Sequence, residues 1–261
     1  MLIFDSGAGG LSVLKIIKKF FPNIHYIYIL DNEAFPYGNK KEVFLIERSI
    51  KIINKIKKKY PINIVVIACN TLSTLALSDL RKTFNFPIMG IFPAIKDAEK
   101  ITKNKIIGLI ATKATINSSY IRNIIYKKSG GNIIKTIGTN KLALMAEKKI
   151  RGIKVSKIEL KNIFKPWVNL QVQPDTIILG CTHFLLLKKE IKKTLNKQSV
   201  FFVDSTKHTI FQIKNYFQKI NFDQKIKSNI FFYSQKDKEL KELILFLQKY
   251  QFKKIKHIDL N

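Results

Sequence analysis

The chain of 261 residues contains two cysteines, Cys69 and Cys181, in matching surroundings. Ahead of the first runs Ile64-Val65-Val66-Ile67-Ala68, and ahead of the second Thr176-Ile177-Ile178-Leu179-Gly180. Both stretches read as buried strands. After each cysteine come polar residues and then a helical pattern: Asn70-Thr71 in one case, Thr182-His183 in the other. The two lie far too distant in sequence for a redox CxxC pair. A lone free cysteine usually acts as a small buried hydrophobe. Two of them at the C-terminal ends of strands, where open α/β sheets hold their ligands, point instead to chemistry. A thiol has a reference pKa of about 8.5, and a helix N-terminus favours its thiolate. One thiolate and one thiol facing a common ligand can take a proton from one side and return it on the other.

Other polar residues cluster at strand ends in the same way. Asp5-Ser6-Gly7-Ala8-Gly9-Gly10 follows an apolar start and precedes an amphipathic helix. This strand, glycine-rich turn and helix can face an anion with backbone N–H groups. The string lacks the GK[ST] of a phosphate loop and the GxGxxG of a dinucleotide fold, and an Asp there also serves as an ordinary helix cap. Phe35-Pro36-Tyr37-Gly38 reads as a proline turn with an exposed-type aromatic. Thr112-Lys113-Ala114-Thr115 is a second turn of small and hydroxyl residues after a strand. Glu147 sits in a helical stretch, where most glutamates are solvated. Four scattered histidines give no metal-ligand pattern. Nothing marks a Schiff-base lysine beside a phosphate site, so no cofactor is expected.

Composition sets the limits. The length allows one large or two modest domains, and no apolar run approaches the roughly 18 residues of a membrane span. Asp5 interrupts the apolar start, so it does not read as a signal peptide, and reduced thiols in a cytoplasmic setting are expected. Lys and Arg number 47 against 18 Asp and Glu, a net charge of +29. The basic residues are mostly lysines read here as solvated helix faces, in KIIKKF, KIKKKY, EIKKTL and YQFKKIKH. No arginine-rich arm, RNP-like aromatic motif or zinc-finger spacing accompanies them, so no specific nucleic-acid partner is expected. Non-specific binding to polyanions at low salt is.

The elements needed to position these groups alternate along the chain. Strands at 1–4, 25–30 and 64–68 are separated by helices, the second over 41–60, and a helix over 73–84 follows. That order predicts a parallel sheet covered on both faces. A strand near 86–91 leads to a second set: strands at 105–111, 133–138, 176–179 and 200–203, with helices over 141–150, 156–166 and from near 185 to 195. A helix to 220, a strand at 229–233 and a lysine-rich helix over 236–250 finish the chain. The expected fold is α/β with two pseudo-symmetric domains, 1–91 with 206–261 carrying Cys69 and 92–205 carrying Cys181, facing one cleft.

The motifs FDSGAGGLSVL, DNEAFPYG, ACNT, GIFPAIK, LIATKAT and LGCTHFLLL occur in that order over nearly the whole chain. In this the sequence resembles the glutamate racemases of the cofactor-independent aspartate/glutamate racemase superfamily. The resemblance implies two α/β domains with the site between them and one cysteine from each. It implies interconversion of L- and D-glutamate to supply D-glutamate for peptidoglycan, with Cys69 deprotonating D-glutamate and Cys181 deprotonating L-glutamate. Negative charge growing toward the α-carboxylate then needs preorganised donors. Asn70, Thr71, Thr182, Ser6, Tyr37 and Gly38 are the expected ones. Asp5 is expected to accept from the substrate ammonium or help discharge its neighbouring thiol, His183 to assist Cys181, and Glu147 to act as an auxiliary. Thr112 and Thr115 match a turn that touches substrate.

Leu185 stands where the resemblance calls for proline, Thr206 for glycine, Leu72 for alanine and Asp97 for proline. None of these removes a proton-transfer group. Rival readings are a sister racemase acting on aspartate or another amino acid, a basic nucleic-acid binder on an inactive racemase fold, and a thiol redox protein. A homodimer stays open.

Overall fold

The computed structural model describes residues 1–128, 131–195, 200–219, 228–236 and 240–260. The elements run β1 (Leu2–Asp5), α1 (Leu11–Phe20), β2 (Ile27–Leu30), α2 (Glu42–Lys57), β3 (Val65–Ile67), α3 (Asn70–Thr83), β4 (Ile88–Gly90) and α4 (Ile95–Ile101). They continue with β5 (Ile106–Ala111), α5 (Lys113–Asn117), α6 (Ser119–Lys128), β6 (Ile133–Gly138), α7 (Lys141–Ile150), α8 (Lys157–Val168), β7 (Thr176–Gly180), α9 (Thr182–Leu185) and α10 (Lys188–Leu195). After β8 (Phe201–Val203) and α11 (Lys207–Gln218) come β9 (Ile230–Tyr233), α12 (Leu240–Leu247) and β10 (Lys254–His257).

Two sheets result, ordered β10-β9-β2-β1-β3-β4 and β6-β5-β7-β8. Every strand pairing among the described residues is parallel. The segment β2-β1-β3-β4 of the first sheet has the same winding as the whole of the second, with β1 matching β5 and β3 matching β7. In both, successive crossovers leave the first strand in opposite directions, so a crevice opens at the strand C-termini between β1 and β3 and again between β5 and β7. The pseudo-symmetric α/β reading of the sequence agrees with this topology.

Buried apolar side chains hold both faces of each sheet. Phe4, Ile29 and Ile67 point into one layer, with Leu45 and Leu72 from the helices, while Ile3, Tyr28 and Val66 point into the other with Leu14. The period-2 alternation of a strand produces this split, and it explains why these strands read as continuous apolar runs. In α1, Leu11, Leu14 and Ile17 are buried at helical spacing and Lys18 and Lys19 occupy the last turn, where cations complement the helix dipole. The second sheet is sandwiched likewise, with Ile177, Phe164 and Trp167 on one side and Leu109, Ile178 and Ile121 on the other.

Several boundaries differ from the sequence expectation. The helix expected from near 185 begins at once after Cys181, as α9, and α10 restarts at Lys188. Likewise α3 begins at Asn70, directly behind Cys69, and not at 73. Pro166 lies inside α8, which continues to Val168. The expected helix over 236–250 includes 237–239, outside the described residues, and is described as α12 with a 3-10 turn over Gln248–Tyr250. The end of the helix expected to reach 220 also lies outside them. The lysine-rich YQFKKIKH segment contains a strand, β10, paired parallel to β9. As an edge strand it is mostly exposed, and lysines there hinder pairing with another chain, so charge hid a strand that hydropathy could not show. Among the described residues no helix is long and apolar enough to cross a membrane.

Candidate active site

The two cysteines occupy equivalent places. Cys69 is the N-cap of α3 at the end of β3, and Cys181 the N-cap of α9 at the end of β7; both have extended backbones. Each carbonyl starts its helix, Cys69 accepting from Ser73 N–H at 2.9 Å and Cys181 from Phe184 N–H at 3.0 Å. Strand geometry ends at the cysteine because the next residue is already helical. The thiols are 6% exposed and free. Cys69 senses its counterpart: burial pushes its thiol well above its ordinary value, the Asp5 charge adds to this, a hydrogen bond from Leu72 N–H opposes it, and the Cys181 charge raises it further.

Asp5 ends β1 beside Cys69, is fully buried, and bridges the two cysteine regions. Its Oδ1 accepts from Ser6 N–H at 2.7 Å, and its Oδ2 accepts from the Thr182 hydroxyl at 3.1 Å. The Ser6 hydroxyl lies 4.0 Å from Cys69 Sγ. Burial pushes the Asp5 carboxyl up to about 6, against the nearby His183 charge and hydrogen bonds from Ser6, Thr182 and Cys69 that favour the carboxylate.

On the other side, His183 Nδ1 is 3.8 Å from Cys181 Sγ, and its Nε2 is 2.8 Å from Glu147 Oε1. Ala8 N–H donates to the same carboxylate oxygen at 2.6 Å. Gly9 N also lies 3.3 Å from His183 Nε2, but one ring nitrogen cannot donate and accept at once. Charge decides. Burial favours a neutral Glu147, yet the His183 hydrogen bond and charge, with Arg151 beyond, hold its carboxyl down at about 2. Nε2–H therefore donates to the carboxylate. Burial disfavours an imidazolium at His183 as well, but the hydrogen bonds and charges of Cys181 and Glu147 outweigh it and hold its pKa well above the ordinary imidazole value. Glu147, expected to be solvated on general grounds, is buried among these partners.

The glycine-rich turn serves this contact. A Cβ on Gly9 would lie 2.5 Å from His183 Nδ1 and 2.6 Å from its backbone N, and one on Gly7 would collide with His183 Nε2 and Glu147 Oε1. The glycines thus admit a neighbouring residue pair, and the anion faced by a backbone N–H of the turn, that of Ala8, is the Glu147 carboxylate.

The remaining expected residues divide into two groups. Thr71, Thr112 and Thr115 form a buried triangle of hydroxyls, 2.9 Å, 3.2 Å and 2.9 Å apart, joining α3 to the start of α5. Asn70 donates to Ile91 O at 3.2 Å. Tyr37 is fully buried, not the exposed aromatic its turn suggested, and its hydroxyl donates to Asp31 Oδ2 at 2.6 Å. Asp31 is further held by Arg48 and Ser234. Gly38 offers its carbonyl to the Asn140 amide at 3.2 Å. Sequence reasoning missed Asn140, which links this turn to α5 through Lys113 N–H, and Phe35, whose ring lies 5.2 Å from that of His183. It also missed Arg151, although the four-residue spacing from Glu147 was there to see; such pairs are normally solvated. Among the described residues no group of three or more His, Cys, Asp or Glu could hold a metal ion.

The shifted carboxyls carry a stability prediction. Asp5 keeps its proton to higher pH in the folded chain than its ordinary 3.8, so the native state binds more protons between about 4 and 6 and stability falls as pH rises through that window. Glu147 works oppositely, its contribution being lost as pH falls through the acid range toward 2. Asp5→Asn is therefore expected to be more stable than wild type by about 2–3 kcal/mol near pH ~7, the difference shrinking near pH ~4. Urea midpoints at the two pH values measure it, and an equal difference at both would contradict the assignment.

What the arrangement offers is a pair of thiols on equivalent strand ends, each beside titratable groups, Asp5 for one and His183–Glu147 for the other. Proteins of known kind resemble the chain in the same regions. The Asp/Glu/Hydantoin racemase family model matches residues 13–212, which include both cysteine strands. A glutamate racemase of Buchnera aphidicola subsp. Acyrthosiphon pisum (strain APS) is 69% identical over 262 residues, covering 100% of both chains. One from Photorhabdus laumondii is 51% identical over 195 residues, 75% of this chain and 68% of its own. The crystal structure of Escherichia coli glutamate racemase, in complex with L-glutamate and the activator UDP-MurNAc-ala, superposes with a TM-score of 0.93 at 38% identity, covering 99% of this chain and 97% of that one. With similarity this extensive in both sequence and topology, the chain belongs to the Asp/Glu/Hydantoin racemase family.

Proposed function

We propose that this protein is a glutamate racemase that interconverts L- and D-glutamate by proton transfer between two thiols, and so supplies D-glutamate for peptidoglycan. The single observation that supports the reading most is the placement of Cys69 and Cys181 at equivalent strand ends, close enough for the charge of one to raise the pKa of the other.

With L-glutamate bound, the Cys181 thiolate takes the α-proton: the Cα–H bond breaks, an S–H bond forms, and the electron pair stays on Cα and its carboxylate. The Cys69 thiol then delivers its proton to the opposite face, leaving D-glutamate and a Cys69 thiolate. From D-glutamate the roles reverse. His183 donates toward Cys181 and balances charge there, while Asp5 is the group beside Cys69 that can accept a proton and reset the pair. The hydroxyls of Ser6, Thr71, Thr112 and Thr115, the Asn70 amide and the N–H groups opening α3 and α9 are donors for the substrate carboxylates, while the Thr182 hydroxyl donates to Asp5 and orients it. Tyr37 and Gly38 shape the adjoining wall. Burial of both thiols keeps water from the carbanion, which strengthens every electrostatic contact to it. In this reading residues 1–91 with 206–261, and 92–205, are two domains that part to admit substrate.

Circular dichroism of L-glutamate mixed with the protein and no added cofactor tests the function. Decay of the signal to zero is expected, with L-aspartate unchanged. Turnover of aspartate with inertness toward glutamate would reassign the substrate, and inertness toward both would remove the activity.

A further inference from the structure

We propose that Arg151 is a positioning residue for the Cys181 half of the reaction, clamping Glu147 so that the carboxylate oxygen facing the site holds His183 against the thiol. The inference rests on the two-thiol reading above. Arg151 caps the C-terminus of α7, four residues after Glu147, and its side chain is only 9% exposed. Its Nη1 donates to the Glu147 carbonyl at 3.0 Å and, in a short ion pair, to Glu147 Oε2. The two carboxylate oxygens thus have separate duties: Oε2 takes the guanidinium, and Oε1 takes Ala8 N–H and His183 Nε2. His183 then presents Nδ1 to Cys181.

A buried carboxylate stripped of one strong partner either rotates to share its remaining donors or takes up a proton. Either response loosens the fixed acceptor that sets the His183 ring. Arg151 also partly cancels the Glu147 charge felt at His183, so its contribution is orientation and not added field. The Cys69 half is built differently. Its neighbours are Asp5 and Ser6, and no guanidinium stands behind them among the described contacts. A defect at Arg151 must therefore fall on one thiol.

The equilibrium between enantiomers fixes the ratio of kcat/KM in the two directions, so a one-sided defect cannot show there. It shows in primary isotope effects, because α-deuterated L-glutamate reports transfer to Cys181 and α-deuterated D-glutamate reports transfer to Cys69. Arg151→Met is expected to lower kcat/KM about ten-fold in both directions, equivalent to ~1.4 kcal/mol. Its isotope effect on kcat/KM should rise with labelled L-glutamate and fall with labelled D-glutamate. Arg151→Lys should recover part of the rate and move both isotope effects back toward wild type. Adding Arg151→Met to Glu147→Gln should cost little beyond Glu147→Gln alone, since both break one linkage. Isotope effects that stay put or move together, or fully additive losses, would overturn the proposal. If Arg151→Met does not fold, the lysine variant carries the same isotope comparison. Cys69→Ser and Cys181→Ser serve as references through washout in D2O: washout of one enantiomer by each variant with no opposite isotope shifts at Arg151 defeats this inference alone, and washout not divided between the enantiomers defeats the two-thiol reading itself.

Discussion

Serine in place of either cysteine is expected to reduce glutamate racemisation by about 10^3-fold or more while leaving the fold intact. A serine hydroxyl fits the space of the thiol, and Cys69 and Cys181 each contribute one sulfur to well-filled apolar layers, so packing changes little. Proton affinity changes greatly. A hydroxyl at neutral pH holds its proton far more tightly than a thiol, so it can neither take the α-proton nor rest as the charged partner. The two variants should differ in a second respect. In D2O, Cys181→Ser retains the thiol assigned to D-glutamate and should slowly wash out the α-proton of that enantiomer alone, and Cys69→Ser should do so for L-glutamate alone. Proton NMR of each enantiomer reads this directly. A near-wild-type rate in either serine variant would end the two-base mechanism, and washout with the opposite pairing would exchange the roles of the thiols.

Gly9→Ala is expected to cost about 100-fold in kcat/KM and about 2–3 kcal/mol in stability, through a single added methyl group. The new carbon would sit 2.5 Å from His183 Nδ1 and 2.6 Å from the His183 backbone N. The ring could turn aside, but the backbone nitrogen belongs to α9, directly behind Cys181, and cannot yield without moving the thiol. The loss should therefore appear in kcat as well as KM. Urea titration and steady-state kinetics on the purified variant measure the two effects. Full activity with unchanged stability would mean that the turn and α9 are not held together as described.

Much of this is legible in the amino-acid sequence. Strand positions and the parallel, two-sheet α/β class followed from alternating apolar runs and helical periods, because a strand buried on both faces must be apolar throughout. The pairing of Cys69 with Cys181 followed from repeated local context, since both strand ends need the same strand-to-helix turn. The burial of Tyr37 is not legible there, because a proline turn says nothing about what packs over it, and Asp31 with Arg48 buries its hydroxyl. The strand β10 was missed because its lysines are an edge strand's protection and resemble a solvated helix face. Arg151 and Asn140 are not legible in the sequence because their spacing is ordinary and only burial gives it meaning.

The sequence by itself determined which residue types stand at the ends of which strands, and hence that two thiols, an aspartate and a histidine would gather at strand C-termini. That much is local, set by the period of a strand, the start of a helix and the small residues between them. Tertiary structure alone decided how the two strand ends share their charges: Thr182 reaching Asp5, Ala8 reaching Glu147, and His183 seated over Gly9. Those contacts join residues far apart in the chain. Their proton affinities depend on burial and on the distance between charges, quantities that exist only once both sheets have packed.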